Sequence, residues 1–347
     1  MRRTGVLIVA VVVLVVAGAL VGHLVGRSRG GTTHVTLLVG SEKLGFFTDP
    51  AVRGAFDEHG FTYRADASGS RDMANRLAGY DLAFPGSLAA AQELAARRAP
   101  AADPVAVFSS PLAVATFTPI VDVLQTAGLA SRDGTGVWRL DLAKLVERHR
   151  AGLLWKQIPG NAAFPAERKV LVATTHPQDS NSAAMYAALL DSVTKGDVAE
   201  VAQLFADQGA VDTTSGEPFE KYLLQGSNFA PLVLIYEAQF VDHAVHTTLS
   251  GGQTLIYPTP TVMCAHTVVP FTEAGAKVAK LLQTDPDLQR LAAEHGFRAL
   301  DPAVSRPVLD KVRPGDARLP ELIVGAVPAP DQATLHTLLT KVEEKLA

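Results

Sequence analysis

One repeated order of elements constrains the fold of this chain most: a short apolar run, then a loop rich in Ser and Gly, then a helical pattern. Such runs cover residues 34–39, 61–65 and 81–84. The loops that follow them are Gly40-Ser41-Glu42-Lys43, Ser68-Gly69-Ser70-Arg71 and Pro85-Gly86-Ser87. This order is typical of α/β units around a largely parallel sheet, in which ligands collect at the carboxyl ends of strands. The sequence therefore predicts an α/β fold with its Ser/Gly loops on one edge.

The same pattern continues through the rest of the chain. We predict strands over 105–108, 112–117, 170–174 and 232–236, and an amphipathic helix over 138–150. Met73 and Leu77 indicate a helix after the second loop, and Met185 and Leu189 indicate one after residues 175–182. Asp49, Thr272 and Asp285 suit helix N-caps, and a last helix is expected over 332–345.

The first thirty residues differ sharply from the rest. Residues 5–26 carry no formal charge, and a helix of that length spans about 33 Å, enough to cross a hydrocarbon core. Arg2 and Arg3 precede this run, which places the body on the non-cytoplasmic side. We expect residues 1–30 to be one transmembrane helix, a signal anchor in the cell membrane, with residues after about 27 extracytoplasmic. A cleaved signal peptide is the alternative.

Composition excludes several classes of protein. The chain has 347 residues, 48% hydrophobic and 19% charged, which allows a sizeable core in about two lobes and excludes wholesale disorder. Beyond residue 30 the acidic residues outnumber the basic ones by eight, so no nucleic-acid partner is expected. Cys264 is the only cysteine, so no intrachain disulfide forms, and its apolar surroundings predict a buried, inert thiol.

Five segments carry the pattern along the chain: GSEKLGFF (40–47), ASGSRDMANRLAGYDLAFPGS (67–87), ATTHPQDSNSAAMYAALL (173–190), APLVLIYEAQF (230–240) and VAKLLQTDPDLQRLAAEHGFR (278–298). Together they resemble the extracellular solute-binding proteins of ABC-type uptake systems, in the class that includes molybdate and sulfate binders. The resemblance covers about residues 34–300. The C-terminal stretch is also similar to the region that, in some actinobacterial relatives, joins a solute-binding domain to a von Willebrand A domain.

This resemblance implies a two-lobed, periplasmic-binding-protein-like (type II) α/β fold with a hinge and an inter-lobe cleft. Lobe 1 would comprise residues 34–111 and 259–347, and lobe 2 residues 112–258. The hinge would lie near residues 109–111 and 257–260. The implied partners are a small polar ligand held between the lobes and an ABC permease or a von Willebrand A-type protein.

The candidate ligand-binding residues lie in the Ser/Gly loops and at the end of one strand: Ser41, Ser70, Arg71, Ser87, Ser180, Asn181, Ser182 and Tyr236. Helix N-termini in such loops offer N–H groups and partial positive charge to an anion. The alternative for each serine is a helix cap or turn, for Arg71 a solvated surface role, and for Tyr236 packing at the hinge. Glu237 binds a cationic group or pairs with a basic residue, and Lys43 is expected to be solvated.

These observations lead to two hypotheses and exclude a third. The leading one is a membrane-tethered extracytoplasmic solute-binding protein that captures a small polar ligand, an oxyanion being one such ligand, for an ABC-type importer. The alternative is an envelope sensor or interaction protein that keeps the fold without transport. The chain has no Gly-x-Ser-x-Gly, His-Glu-x-x-His, Cys-x-x-Cys or P-loop motif, so we expect no enzyme, cofactor or metal. His243 and His246 are interpreted as surface or packing residues.

Overall fold

A computed structural model describes residues 31–209, 211–249, 251–315 and 318–347. The predicted membrane-spanning segment, residues 1–30, lies outside these ranges. Within them, no helix combines the length and the apolar character needed to cross a bilayer.

Eleven strands and thirteen α-helices occur in the described part of the chain. The strands are β1 Thr33–Gly40, β2 Phe61–Ser68, β3 Leu82–Phe84, β4 Val105–Phe117, β5 Ala130–Arg132, β6 Trp138–Asp141, β7 Val233–Tyr236, β8 Gln253–Thr259, β9 Thr261–Pro270, β10 Arg298–Ala299 and β11 Ala326–Val327. The helices are α1 Leu44–Thr48, α2 Pro50–Glu58, α3 Leu88–Arg97, α4 Thr118–Thr126, α5 Leu142–Arg150, α6 Asn181–Thr194, α7 Val198–Ala206, α8 Gly216–Gln225, α9 Glu237–His246, α10 Glu273–Thr284, α11 Pro286–Glu294, α12 Pro302–Leu309 and α13 Gln332–Leu346.

The strands follow the order β2-β1-β3-β9-β4-β8-β6-β5, with β7 and β10 paired to β4 and β11 paired to β9. The first three strands are mutually parallel, as predicted, with Leu37 opposite Leu82. Most pairs formed by the later strands are antiparallel instead. The expectation of a largely parallel sheet is therefore correct only for the first segment, because β7, β8 and β9 all run antiparallel to β4.

Strand β4 is a single strand where the sequence predicts two. Its first half, up to Pro111, pairs with β9, and its second half pairs with β7 and β8. The returning chain bonds to it at the changeover, where the Thr261 hydroxyl donates to the Leu112 carbonyl over 3.0 Å. The peptide between Thr259 and Pro260, which joins β8 to β9, is cis. Both segments predicted as hinge crossovers thus lie side by side.

Separate apolar cores lie on the two halves of β4. The core of the first segment is rich in aromatic rings, including Phe47, Phe84 and Phe108. In the second half, alternate side chains enter different cores: Leu112 and Val114 pack in one, and Ala113 and Ala115 in another. This alternation follows from the two-residue period of a strand and buries both faces of β4.

Several local predictions are wrong for identifiable reasons. Residues 138–141 form β6, because Trp138 pairs with Arg132 across a turn and Arg139 pairs with the distant Tyr257, and the helix begins only at Leu142. Residues 170–174 make one bridge to β7, through Ala173, because the next N–H, of Thr174, donates to the Gln208 side chain over 2.7 Å. The helix expected after Arg71 is a short 3-10 turn, Asp72–Asn75.

The predicted helix caps are confirmed. Asp49 begins α2 and accepts from the Ala51 N–H over 2.7 Å. Thr272 begins α10 and Asp285 begins α11, each accepting an N–H three residues further on. A cap is a contact between neighbours in sequence, so the sequence alone is enough to predict it.

Helix α13, here called the closing helix, does not pack mainly on the residues predicted for its own lobe. Leu335, Leu338, Leu339 and Val342 enter the core built from helices α6 and α7, and the helix also contacts α3. The Gln178 side chain donates to the Leu339 carbonyl over 3.1 Å. The chain end that was expected to belong to lobe 1 therefore packs largely on helices of residues 112–258.

Candidate ligand-binding site

The Ser/Gly loops from both halves of the chain meet at one place. Ser70 and Ser87 follow β2 and β3, Ser180 to Ser182 begin α6, and Tyr236 ends β7; all are buried, and Ser41 after β1 is half-buried. The loops that the sequence identified thus converge on a shared polar cluster in the interior.

A chain of three side chains forms the centre of this cluster. The Ser87 hydroxyl donates to Asn181 Oδ1 over 2.5 Å, and Asn181 Nδ2 donates to the Tyr236 hydroxyl over 2.9 Å. Ser70 Oγ accepts the Gly86 N–H over 3.1 Å. Ser87 also caps α3, accepting from the Ala90 N–H over 3.2 Å, so one hydroxyl begins a helix and contacts the opposite segment. Below, Ser87, Asn181 and Tyr236 are called the polar relay.

Two glycines allow the segments to approach this closely. A Cβ at Gly86 would lie 2.6 Å from the Tyr236 hydroxyl oxygen and 3.3 Å from Asn181 Nδ2. A Cβ at Gly69 would lie 2.5 Å from the Asp179 carbonyl oxygen. Both positions require glycine because any side chain would push the two segments apart.

One loop of the site, before α8, was not predicted from the sequence. The Gly216 N–H donates to Ser41 Oγ over 3.0 Å, and Ser41 Oγ lies 3.4 Å from Ser215 Oγ. The run Thr213-Thr214-Ser215-Gly216 has the Ser/Gly character of the other loops. Without an apolar strand before it, that signal alone did not indicate a site.

Lys43 is not solvated, contrary to expectation. Its side chain is 0% exposed and forms an ion pair with Glu42, itself 2% exposed. The ammonium nitrogen lies 4.8 Å from the centre of the Phe84 ring, and His266 Nδ1 lies 3.4 Å from Glu42 Oε1. Neither His266 ring nitrogen has a hydrogen-bond partner among the described residues. Lys43 follows a loop at a strand end, but the chain turns inward there and buries the cation against its acidic neighbour.

The charges of this buried triad are fixed by their mutual proximity. Burial alone would raise the pKa of Glu42, but Lys43 and His266 outweigh it and hold that pKa well below its usual range. Burial lowers the pKa of Lys43, and Glu42 opposes the change. Burial and the Lys43 charge lower the pKa of His266 to about 4, despite Glu42. At neutral pH these shifts favour an ionised Glu42 carboxylate in contact with Lys43 and a neutral His266 imidazole.

Ser180, Ser182 and Arg71 have partners of their own. Ser180 caps α6 through the Ala183 N–H and contacts Thr175 and Ser182, which is the structural alternative stated for a serine. The Arg71 side chain is only 9% exposed and pairs with Glu93 over 3.2 Å, so the arginine is not a solvated surface residue. Its Nε has no hydrogen-bond partner within the described residues.

Two further residues take structural roles. Glu237 accepts from Arg298 through two nitrogens, at 2.8 and 2.9 Å, and from the Tyr257 hydroxyl at 2.5 Å, which is the pairing alternative for Glu237. Cys264 is buried, and burial together with Glu42 raises the pKa of its thiol. A neutral thiol without access to solvent is inert, as predicted.

An open cavity of about 540 Å³ adjoins the buried cluster. Ser41 and Glu42 lie on its wall, and further along are Gln239, Asp242, His246 and His295. The cavity connects the ion pair of the site with solvent, so a small molecule has a path to the Ser41 loop.

The fold resembles solved structures of binding proteins. They include the sulfate-binding protein SubI from Mycobacterium tuberculosis H37Rv, with a TM-score of 0.54 and 18% identity over 80% of this chain and 91% of that chain. A periplasmic thiamin binding protein matches with a TM-score of 0.60 and 13% identity over 92% and 98%. The Azotobacter vinelandii periplasmic molybdate-binding protein matches with a TM-score of 0.51 and 16% identity over 76% and 98%. No protein-family model and no curated protein matches the sequence.

The chain has a mixed α/β fold like that of periplasmic binding proteins, which confirms the fold class that the sequence resemblance implied. At these identities the likeness concerns the fold. The three neighbours named above are binding proteins for sulfate, thiamin and molybdate.

Proposed function

We propose that this chain is an extracytoplasmic solute-binding protein that holds a small polar ligand between two lobes, tethered to the cell membrane by residues 1–30. The convergence of loops from both halves of the chain on the polar relay carries this proposal. Hydroxyls, an amide and helix N-termini are the groups that fix a small polar ligand in a pocket.

An ABC permease is the partner that this proposal requires. The uncharged run over residues 5–26 supports a tether long enough to span the bilayer. The binding of sulfate, thiamin and molybdate by proteins with this fold supports ligand capture as its use. A captured ligand would then pass to the permease as the lobes open.

The buried ion pair constrains which ligands fit. Glu42 already places a carboxylate beside Ser215, with Oε2 3.4 Å from the hydroxyl oxygen. An oxyanion would have to displace this carboxylate, whereas a neutral or zwitterionic ligand would bind beside an electrically balanced pair. We therefore include all three kinds of ligand in the test.

The test is a thermal-shift screen of the full chain in detergent against sulfate, molybdate, phosphate, thiamin, amino acids and sugars. A specific ligand is expected to raise Tm, with a stabilisation that grows as the logarithm of one plus the ratio of free ligand concentration to Kd. The double variant Ser87→Ala, Asn181→Ala should lose that shift, and the exposed Ser131→Ala variant should keep it. A panel without any shift, or an unchanged shift in the double variant, would contradict the proposal.

The alternative, an envelope sensor or interaction protein, is favoured by the closing helix. This helix contacts α3 as well as α6 and α7, and so restrains their separation. A von Willebrand A-type protein is the partner proposed for this case. Crosslinking in native membranes separates the two functions: transport predicts recovery of a permease, and sensing predicts recovery of a different envelope protein without any ligand shift.

A further inference from the structure

A second group of polar side chains lies away from the polar relay, with His246 and His295 on the cavity wall and Asp49 beside His295. Asp49 is the cap of α2, His246 ends α9, and His295 follows α11. One ligand atom from each of the three lies within 4.8 Å of the others. These residues come from three distant parts of the chain, and the fold alone brings them together.

His295 is oriented from both sides. Its Nδ1 lies 2.7 Å from Asp242 Oδ1, and its Nε2 lies 2.9 Å from Asp49 Oδ2. The His246 ring stacks on it, with centroids 5.0 Å apart. His246 Nδ1 lies 2.8 Å from the Asp242 carbonyl oxygen, which leaves Nε2 as the nitrogen free to bind a ligand.

This arrangement has the composition of a transition-metal site. Two imidazole nitrogens and a carboxylate oxygen are ligands that Zn²⁺ accepts, with water in a fourth position. A ligating histidine usually donates its other ring N–H to a carboxylate, the role that Asp242 fills for His295. Tetrahedral ligands around Zn²⁺ lie about 3.3 Å apart. His295 Nε2 and Asp49 Oδ2, which are 2.9 Å apart, therefore need to move only slightly away from each other. Ca²⁺ and Mg²⁺ prefer oxygen ligands throughout.

We propose that Asp49, His246 and His295 bind a divalent transition metal such as Zn²⁺, with Asp242 orienting His295. Asp49 and His295 belong to the residues predicted for lobe 1, and His246 to those predicted for lobe 2. A bound ion would therefore fasten α9 to α2 and α11. Because His246 is half exposed and on the cavity wall, the ion enters from solvent. The ion would lie along the cavity from the Ser41 loop, separate from the polar relay.

The test is calorimetric titration of the untagged, chelator-stripped full chain with ZnCl2, and in parallel with CaCl2 and MgCl2. One equivalent of Zn²⁺ is expected to bind, with no heat of binding from the other two salts. His246→Ala should weaken Zn²⁺ binding at least tenfold, and Asp242→Asn about 10- to 100-fold. His336→Ala, an exposed histidine elsewhere, should bind as the parent does.

A spectroscopic measurement distinguishes loss of the metal site from loss of the fold. Co²⁺ should give the visible absorption of a tetrahedral nitrogen and oxygen site in the parent chain, and this signal should disappear in His246→Ala. Because His246 is at the surface, this variant is expected to keep the parent circular dichroism spectrum. Zn²⁺ affinity unchanged in His246→Ala, or binding lost equally in His336→Ala, would overturn the proposal.

Discussion

A lysine ammonium completely removed from water is rare, and it is tolerated only with a charged or hydrogen-bonded partner. Lys43 meets this condition through Glu42, its neighbour in sequence. A lysine at the end of a polar loop is normally solvated, so composition and spacing predicted the wrong environment. Burial of Lys43 depends on Phe84 and His266, which are far away in sequence. The sequence alone does not show that these two residues lie close to Lys43 in the folded protein.

The first prediction concerns this ion pair. Glu42→Gln or Lys43→Met should each lower the free energy of unfolding by about 3–5 kcal/mol, because either change leaves an uncompensated buried charge. The double variant should cost less than the two single changes combined. Urea unfolding measures all three. Arg64→Met, which breaks an exposed pair with Asp66, is the control, with a change of about 0–1 kcal/mol. Additive losses in the double variant would contradict the coupling.

The second prediction concerns pH. His266 has a pKa of about 4 in the folded protein, lowered by burial and by Lys43, against about 6.5 in an unfolded chain. The unfolded state therefore binds more protons between these values, so the free energy of unfolding should fall as pH falls from 6.5 towards 4. His266→Gln should flatten this part of the stability profile. An equally steep profile in that variant would assign the acid sensitivity to other groups.

At the scale of whole elements, the sequence predicted helix caps correctly, but it did not predict which strands pair. The caps Asp49, Thr272 and Asp285 are confirmed because each contacts an N–H within three residues. Trp138 instead joins a strand, because its partner Arg132 lies across a turn and the neighbouring Arg139 pairs with the distant Tyr257. Helical periodicity within residues 138–150 does not reveal such distant partners.

The third prediction tests the contact between α9 and the end of α11. Gly296 has φ +79°, and a Cβ there would lie 2.5 Å from the Ala238 carbonyl oxygen. Gly296→Ala should destabilise the protein by more than about 1 kcal/mol, because alanine meets both backbone strain and a clash. Gly54→Ala is the matched control: it adds a Cβ in open space within α2 and should stabilise by about 0.5–1 kcal/mol. Thermal unfolding of both variants decides the comparison.

At the scale of the whole molecule, the sequence predicted the loops that meet in the polar cluster, but it did not predict the residues that surround them. Ser87, Asn181 and Tyr236 follow from strand ends and helix starts, and the structure brings them together. Ser215 and His266 were missed, because no local pattern distinguishes a cleft residue from any other loop or strand residue. The closing helix was located correctly along the chain, whereas its packing surface depended on apolar residues of α6 and α7.

The fourth prediction concerns that helix. A chain ending at Pro330 exposes the core positions that Leu335, Leu338, Leu339 and Val342 cover, with an expected loss of more than about 2 kcal/mol. Hydrogen–deuterium exchange should accelerate in α6 and α7. Helix α2 does not pack on the closing helix and serves as the internal control. Equal acceleration in α2 would show global destabilisation and contradict a local supporting role.

The pairing of β4 with the returning strands has a mechanical consequence. The two segments predicted as hinge crossovers belong to paired strands that share hydrogen bonds, and the Thr261 hydroxyl donates to the Leu112 carbonyl beside them. Two separate linkers would let the halves swing, slide and rotate independently. A bonded ribbon bends readily only out of its own plane, so we expect any opening of the halves for a ligand to be a rocking about one axis that returns Ser87 to the same register with Asn181.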